Sequence, residues 1–256
     1  MDFVAGSAHA TLTAFPDWNG AKLLVALARH MYWFLVLRSD LGAKRGDVEA
    51  VKGLRIGAAP GPDTGLVGLL AEAGIDPERH GVTIAPVPGV LGPGVSFGVH
   101  AAKSLEEGLI DGFWANGMGT EMAVRSGVGT VVLDVRRGDG PPGARGYTFP
   151  ALIASDKKIA EAPDEVAAAV RAIVRAQRML REDPVRAKEV GGLRFPPTEA
   201  GLITELIERD LPYYDPSISE ETVDQMNRFS QRMGMLSKPV SYEQVVATQF
   251  QELWTG

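Results

Sequence analysis

The chain has 256 residues, of which 45% are hydrophobic and 23% are charged, a globular composition that argues against disorder. Its net charge of −6 and its scattered basic residues exclude the electrostatic attraction that draws proteins to nucleic acids or anionic lipids. The lack of cysteine excludes disulfides, Cys-ligated zinc and a Cys nucleophile.

Three short apolar runs predict strands at residues 3–8, 22–27 and 32–37. The first strand ends in a loop at Ser7, Ala8 and His9. Residues at the carboxyl end of a strand are candidates for ligand contact, but a lone histidine is as readily structural, so both interpretations of His9 stay open. Tyr32 and Trp33 open the third strand, where neighbours point to opposite faces, so one should face the core and the other a cleft.

Strands and helices alternate between residues 54 and 135, which is typical of a mostly parallel sheet covered on both faces. Strands are predicted at 54–59, 82–84, 109–115 and 130–135, and helices near 66–73, 99–107 and 120–126. The Gly- and Pro-rich stretch 86–98 is predicted to be an irregular loop.

Gly61, Pro62, Asp63 and Thr64 connect a predicted strand to a helix N-terminus, the place where ligands bind in open α/β sheets. Main-chain amides and the helix dipole there favour an anionic group. The alternative is that Asp63 or Thr64 only caps the helix. The loop is neither a P-loop nor a dinucleotide fingerprint, because the required lysine and glycine spacings are missing.

Trp114 and Asn116 end another strand, at a tip flanked by Gly112 and Gly117. A flat indole beside an amide is a suitable ligand platform, since the two side chains supply apolar area, donors and an acceptor. The alternative is that Trp114 belongs to the core.

A strand at residues 147–154, opened by Tyr147 as a core or surface residue, precedes a helical C-terminal region. The first long helix there has an apolar face that includes Val166 and Val170, with Asp164 as its predicted N-cap and Pro184 beyond its end. Further helices are predicted at 199–209, 220–233 and 242–253.

No catalytic, metal or cofactor site is predicted. The four histidines lack metal-ligand spacing, and the sequence has no Gly-x-Ser-x-Gly elbow.

Two runs carry a family resemblance: Lys-Gly-x-x-Ile-Gly at 52–57 and Gly-x-x-Asp-Gly-Phe at 108–113. Each is weakly specific alone, but together with segments 3–7, 22–27, 33–38, 60–64 and 151–155 their order is much more specific. The chain resembles the solute-binding proteins of nitrate, sulfonate and taurine-type ABC importers, which share a superfamily with the thiamine-pyrimidine synthases. The likeness extends to about residue 190.

The resemblance implies a periplasmic-binding-protein-like α/β fold of two lobes joined by two crossover strands, at 34–40 and 151–156. Lobe one would comprise residues 1–40 and 151–256, and lobe two residues 41–150. Family members begin with an export signal and roughly 60 further residues, as two βαβ-sized modules. Those residues precede the point that matches Phe3, which here follows Met1 almost at once, so we expect lobe one to lack two strands at its N-terminus. The chain also has no basic segment followed by an apolar stretch at its start, as an export signal would have.

The resemblance also implies that a small acidic, aromatic or heterocyclic solute binds between the lobes. Its expected contacts are Ser7, Ala8, His9, Tyr32, Trp33, Gly61, Pro62, Asp63, Thr64, Trp114 and Asn116. The implied partner is a membrane permease. The full-length protein is implied to be a monomer that is either periplasmic or anchored to the membrane on its extracytoplasmic side. The alternative is an enzyme on this fold. It would be similar to a pyrimidine synthase, which would need a cysteine cluster, or to an aromatic-acid decarboxylase, for which His9 with an arginine such as Arg38 is the only candidate set. A third option is a cytosolic ligand sensor with the same fold.

Overall fold

The computed structural model describes residues 2–89 and 96–255, which form eight strands and ten α-helices. The strands are β1 (Val4–Ser7), β2 (Ala21–Ala26), β3 (Phe34–Arg38), β4 (Arg55–Ala58), β5 (Thr83–Ala85), β6 (Gly112–Ala115), β7 (Gly129–Asp134) and β8 (Pro150–Ser155). The helices are α1 (Thr11–Ala14), α2 (Asp63–Glu72), α3 (Phe97–Glu106), α4 (Gly117–Arg125), α5 (Asp156–Glu161), α6 (Pro163–Glu182), α7 (Arg186–Arg194), α8 (Pro197–Asp210), α9 (Glu220–Arg232) and α10 (Tyr242–Val245).

The chain folds into two units, one of Met1–Met31 with Gly146–Gly256 and one of Tyr32–Arg145. The sequence analysis set the two boundaries at 40/41 and 150/151. It also assigned residues 34–40 and 151–156 to crossover strands. In the structure β3 lies within the sheet of the second unit and β8 within the sheet of the first unit.

The first unit is built on a three-stranded sheet in the order β1-β8-β2. The central strand β8 is antiparallel to both neighbours, with Ser7 opposite Pro150 and Ala26 opposite Ala151. One face packs on α6, whose Val166, Val170 and Val174 are buried at helical spacing as predicted. The other face packs on α9 and α10 around Trp18 and Met226.

The second unit is built on a five-stranded sheet in the order β5-β4-β6-β3-β7. Strand β4 is parallel to β5 and β6, while β3 is antiparallel to β6 and β7. Four strands therefore point the same way and β3 runs against them, so the predicted parallel sheet is mixed. Helices α3 and α4 cover one face above Phe113, and they approach closely at Gly98 and Gly119.

Several predicted bounds need correction. Strand β3 begins at Phe34 and β8 at Pro150, so Tyr32, Trp33 and Tyr147 precede their strands. Helix α6 begins at Pro163 with Ala162 as N-cap, because proline suits the first helical position, so Asp164 lies in the first turn instead.

The helical C-terminal region also differs in detail. Helices α5 and α7 were not predicted, and the predicted helix 242–253 is a single α-turn followed by the 3-10 segment Thr248–Thr255. Part of the predicted loop 86–98, residues 90–95, lies outside the described residues; Ser96 caps α3 by accepting a hydrogen bond from the Val99 amide at 3.3 Å. Among the helices that the structure describes, none is long and apolar enough to cross a bilayer.

Candidate functional site

The first candidate region is one edge of the sheet in the first unit. Strands β1 and β2 both end at this edge and β8 begins there, because β8 is antiparallel to both. A 3-10 turn, Ala8–Ala10, follows Ser7. It is held by hydrogen bonds from the Ala8 amide to the Phe149 carbonyl at 2.9 Å and from the His9 amide to Thr148 Oγ1 at 3.4 Å. The structure therefore places Ser7, Ala8 and His9 together at the edge of the first sheet where β1 ends.

His9 is part of a packed aromatic column. Its side chain is only 2% exposed, and its ring lies edge-on to Phe229 at 5.7 Å. Phe229 stacks on Tyr147 at 4.3 Å, and the Arg232 guanidinium lies over the Tyr147 ring at 5.2 Å. These contacts favour the structural interpretation of His9 over the ligand-contact one, and they make Tyr147 a core residue.

A concavity of about 200 Å³ opens at the same edge. Its lining consists of small apolar residues, one cation, one imidazole and three hydroxyls: Ala26, Ala28, Arg29, His30, Phe149, Ser217, Ser219 and Thr222. Ser219 is the N-cap of α9 and accepts a hydrogen bond from the Thr222 amide at 3.1 Å. Polar groups that converge on a partly apolar hollow are the usual form of a small-molecule site.

Arg29 and Asp215 form an ion pair beside this concavity. The Arg29 guanidinium binds Oδ2 of Asp215, while Oδ1 accepts hydrogen bonds from Ser217 N at 2.8 Å and Ser217 Oγ at 2.7 Å. The neighbouring His30 has a left-handed backbone, φ 65°, and lies edge-on to Tyr213. The sequence analysis named none of these residues, because no pattern links two residues that follow β2 to a turn almost two hundred positions later. The Ser219-x-x-Thr222 pattern, which is typical of a helix N-terminus, was the one local indication of structure in this region.

The second candidate region is the carboxyl edge of β4 and β6 in the second unit, beginning with the loop before α2. Asp63 Oδ1 accepts hydrogen bonds from the Gly61 and Thr64 amides, both at 2.9 Å, and Thr64 Oγ1 donates to the Gly61 carbonyl. The Asp63 carboxylate thus occupies the amides that an anionic ligand would use. Pro62 is the N-cap of α2 and no side-chain cap bond is made, so Asp63 orders the turn before the helix and does not cap it. An anion site here would require Asp63 to move.

Trp114 supports that loop from beneath. Its side chain is fully buried, and its indole N–H donates to the Pro62 carbonyl at 3.1 Å. The ring also lies 6.2 Å from the Trp33 ring, which in turn lies 5.1 Å from Tyr32. The expected ligand platform at Trp114 is therefore a core position in this structure, because the ring has no accessible surface. Trp33 is buried as well, whereas Tyr32 is half-buried and so retains some accessible surface.

Asn116 is exposed at the same edge, as the N-cap of α4. Its main-chain carbonyl accepts a hydrogen bond from Thr120 Oγ1 at 3.1 Å, and no side-chain cap bond is made. Because β6 carries Asn116 and β4 carries the 60–64 loop, the sheet brings these two predicted segments to one edge, together with Tyr32 at the start of β3.

A buried ionic cluster follows β7 at this edge. Arg136 donates to Asp134 Oδ1 at 3.0 Å and lies 4.7 Å from the centre of the Phe34 ring. Burial raises the pKa of Asp139, but hydrogen bonds from Arg45, the Asp134 amide and Arg137 outweigh it and leave the pKa below its usual value. The charges neutralise one another locally, so the cluster fixes the end of β7.

Arg38 was the sequence's candidate partner for His9 in acid–base chemistry. Arg38 lies at the opposite end of β3, where it pairs with Asp40 at 2.7 Å and Asp111 at 3.9 Å, so it is remote from the candidate edge of its own sheet. Within residues 2–89 and 96–255, no group of three or more His, Cys, Asp or Glu side chains could hold a metal ion.

Comparison with known proteins identifies the fold. No family model matches the sequence, and no curated protein matches it. Solved structures do match. The alkanesulfonate-binding protein SsuA from Xanthomonas axonopodis pv. citri, bound to MOPS, has a TM-score of 0.68 and 14% identity, over 98% of this chain and 80% of that one. The periplasmic nitrate-binding protein NrtA from Synechocystis PCC 6803 has a TM-score of 0.66 and 14% identity, over 100% and 73%.

An enzyme also shares this fold. The desulfurization enzyme DSZB matches with a TM-score of 0.61 and 16% identity, over 98% of this chain and 84% of that one. At such identities the likeness concerns the fold alone. The predicted α/β, periplasmic-binding-protein-like fold is confirmed, and the solute-binding proteins that the sequence resembles are among its structural neighbours.

Proposed function

We propose that this chain is the solute-binding component of an ABC-type importer and that its solute is a small molecule with an acidic group. The observation that carries the proposal is the match of 98–100% of the chain to sulfonate- and nitrate-binding proteins. Both structural units support it, because each presents polar groups at one edge of its sheet: beside the concavity at the ends of β1 and β2 in the first unit, and at the ends of β4 and β6 in the second.

We consider what each unit offers by itself. The first unit offers the concavity with Arg29 and three hydroxyls, which suits an oxyanion. The second unit offers Tyr32 and Asn116, which suit an aromatic or heterocyclic body and its polar substituents. Asp63 would repel an anion, so we expect the acidic group to bind the first unit.

The proposal includes a permease partner, a monomeric state and a location outside the cytoplasmic membrane, either free in the periplasm or membrane-anchored. These follow from how proteins named as periplasmic nitrate-binding and sulfonate-binding components work, and each is testable separately.

Ligand binding to the full chain tests the proposal. Isothermal titration calorimetry and thermal shift would be run with ethanesulfonate, nitrate, benzoate and a pyrimidine carboxylate, and each mixture would then be analysed by mass spectrometry. We expect saturable binding of at least one acid without chemical change. Asn116→Ala should weaken it about fivefold, the value of one hydrogen bond, while Asn19→Ala, an exposed asparagine elsewhere, should not.

The second candidate function is catalysis on the same fold, favoured by the structural match to DSZB. The chain has no cysteine, so a thiol nucleophile is excluded. Formation of a product in the same mixtures would select this function, and the absence of binding by every acid would refute the importer proposal.

A further inference from the structure

We infer that Arg29 is the cation that binds the acidic group of the solute, and that Asp215 is an internal competitor which the solute displaces from Arg29. The inference rests on the proposed function and deepens it, since it assigns the residue that selects the anion. It arises from the ion pair beside the concavity of the first unit.

Arg29 has a fixed backbone and an accessible guanidinium. The residue follows β2 at the carboxyl edge of the sheet, and its main-chain amide donates to the Tyr213 carbonyl at 2.7 Å, which fixes the backbone. The side chain is 56% exposed, so it is anchored at its base and accessible at its head. A planar guanidinium presents several N–H donors in a fork that matches carboxylate and sulfonate oxygens.

The hydrogen bonds of Asp215 explain why it can release Arg29. Its Oδ2 binds Arg29, whereas its Oδ1 accepts hydrogen bonds from both the amide and the hydroxyl of Ser217. When a solute takes Arg29, Asp215 therefore keeps two donors and, at 19% exposure, stays in contact with water. The exchange replaces one carboxylate–guanidinium contact with another, so it leaves no charge buried without a partner.

The surroundings explain why Arg29 is needed. Helix α9 begins beside the concavity, but Glu220 and Glu221 occupy its first turn and oppose the attraction of its N-terminus for anions. Arg29 is the one lysine or arginine among the residues that line the concavity. The hydroxyls of Ser219 and Thr222 are at hand as further donors, and Ala26 and Phe149 provide an apolar floor for the rest of the solute.

The ligand chemistry that fits is an oxyanion of low charge on a small apolar body, such as an organic carboxylate or sulfonate. A neutral analogue of the same shape would gain nothing from Arg29 and would not need to displace Asp215. Discrimination between an acid and its amide is therefore the property that Arg29 should control.

The experiment measures affinity for benzoate, ethanesulfonate and the neutral analogue benzamide by calorimetry, using wild type, Arg29→Ala, Arg29→Lys and Asp215→Asn. Arg186→Ala and Asp183→Asn are matched controls, because they break another exposed Arg–Asp pair of the same unit, 3.5 Å apart. Circular dichroism and melting temperature would verify that every variant is folded.

We expect Arg29→Ala to weaken binding of the acid about tenfold or more, Arg29→Lys to lie between it and wild type, and the controls to change nothing. Asp215→Asn should bind the acid several-fold more tightly, because the competing carboxylate is gone. Benzamide should bind weakly and equally to all variants.

Unchanged acid affinity in Arg29→Ala overturns the inference while leaving the proposed function intact. Equal weakening by Arg29→Ala and Asp215→Asn also overturns it, since the pair would then be a scaffold. If Arg29→Ala fails to fold, the opposite effects expected for Arg29→Lys and Asp215→Asn still decide. Failure of wild type to bind any acid refutes the proposed function itself.

Discussion

Replacement of Gly119 by alanine should destabilise the second unit, although the same replacement usually stabilises a helix. Gly119 lies in α4 where this helix crosses α3. A Cβ atom added there would lie 2.1 Å from the carbonyl oxygen of Gly98 and 2.3 Å from its carbonyl carbon. That is about 1 Å closer than the shortest ordinary carbon–oxygen contact. Because the obstructing atoms belong to the main chain, no side-chain rotation relieves the clash, and the helices must separate.

The magnitude follows from two opposing terms. Alanine is favoured over glycine in a helix by about 1 kcal/mol. Overpacking against rigid neighbours costs about 1–3 kcal/mol and occasionally more, and a main-chain obstruction belongs at the upper end. We therefore expect Gly119→Ala to lower the free energy of unfolding by about 2 kcal/mol, which corresponds to a fall in Tm of about 4–8 °C for a chain of this size.

Gly201→Ala is the matched control. Gly201 lies inside α8, it has no positive φ, and no atom lies within 4 Å of its added Cβ. This variant should raise stability by about 0.5–1 kcal/mol. Urea unfolding followed by circular dichroism would measure both variants. If Gly119→Ala is as stable as Gly201→Ala, the close approach of α3 and α4 is wrong. Gly119→Ala should also weaken solute binding, because α4 carries Asn116.

Three other changes probe contacts of each unit. Trp114→Phe should lower the free energy of unfolding by about 2 kcal/mol, because it removes the hydrogen bond to Pro62 and leaves a void beside the smaller ring. An unchanged midpoint of urea unfolding would contradict this. Phe229→Ala should cost about 3–5 kcal/mol because that ring is fully buried and contacts both Tyr147 and His9, and a loss below 1 kcal/mol would refute the aromatic column. Hydrogen bonds from Arg55 lower the pKa of Asp111, so the stability from this carboxylate is present above its unfolded pKa near 4 and is lost as pH falls through the lowered folded value. Asp111→Asn should therefore lower the free energy of unfolding at pH 7 by about 1 kcal/mol, a modest value because Arg55 is half exposed and solvent screens the pair. The fall in stability at acid pH should also be smaller in this variant. A pH dependence identical to that of wild type would contradict the role of Asp111.

The sequence predicted elements well wherever burial is periodic. The spacing of Val166, Val170 and Val174 identified α6, since a helix that packs one face on a sheet must repeat its apolar residues every three to four positions. The alternation after residue 54 likewise predicted the strands and helices of the second unit. Helix α7 was missed because its exposed face carries Val190 and Leu193, so apolar periodicity is absent.

The candidate site was harder to predict, because the sequence shows neither where a side chain points nor which distant residues meet in the fold. Glycines on both sides of β6 suggested an open tip at Trp114, but β6 lies between β4 and β3, so the ring is enclosed. Asp63 was a capping residue or a site residue on sequence grounds, whereas in the structure Pro62 is the N-cap and the Asp63 carboxylate binds two nearby main-chain amides. Arg29 and Asp215 meet through the tertiary fold, and no local pattern reports such a meeting.

The central position of β8 in the first sheet has a consequence for the order in which the chain can fold. Val4 pairs with Ile153 and Lys22 with Ala154, and β1 and β2 pair with β8 rather than with each other. The second unit, by contrast, is one continuous stretch, Tyr32–Arg145, which can collapse as soon as it is synthesised. Until β8 emerges, β1 and β2 lack the strand with which they both pair. Forming this sheet therefore requires the chain to close across the whole second unit, which adds an entropic cost that pairing of sequence-adjacent strands would not have.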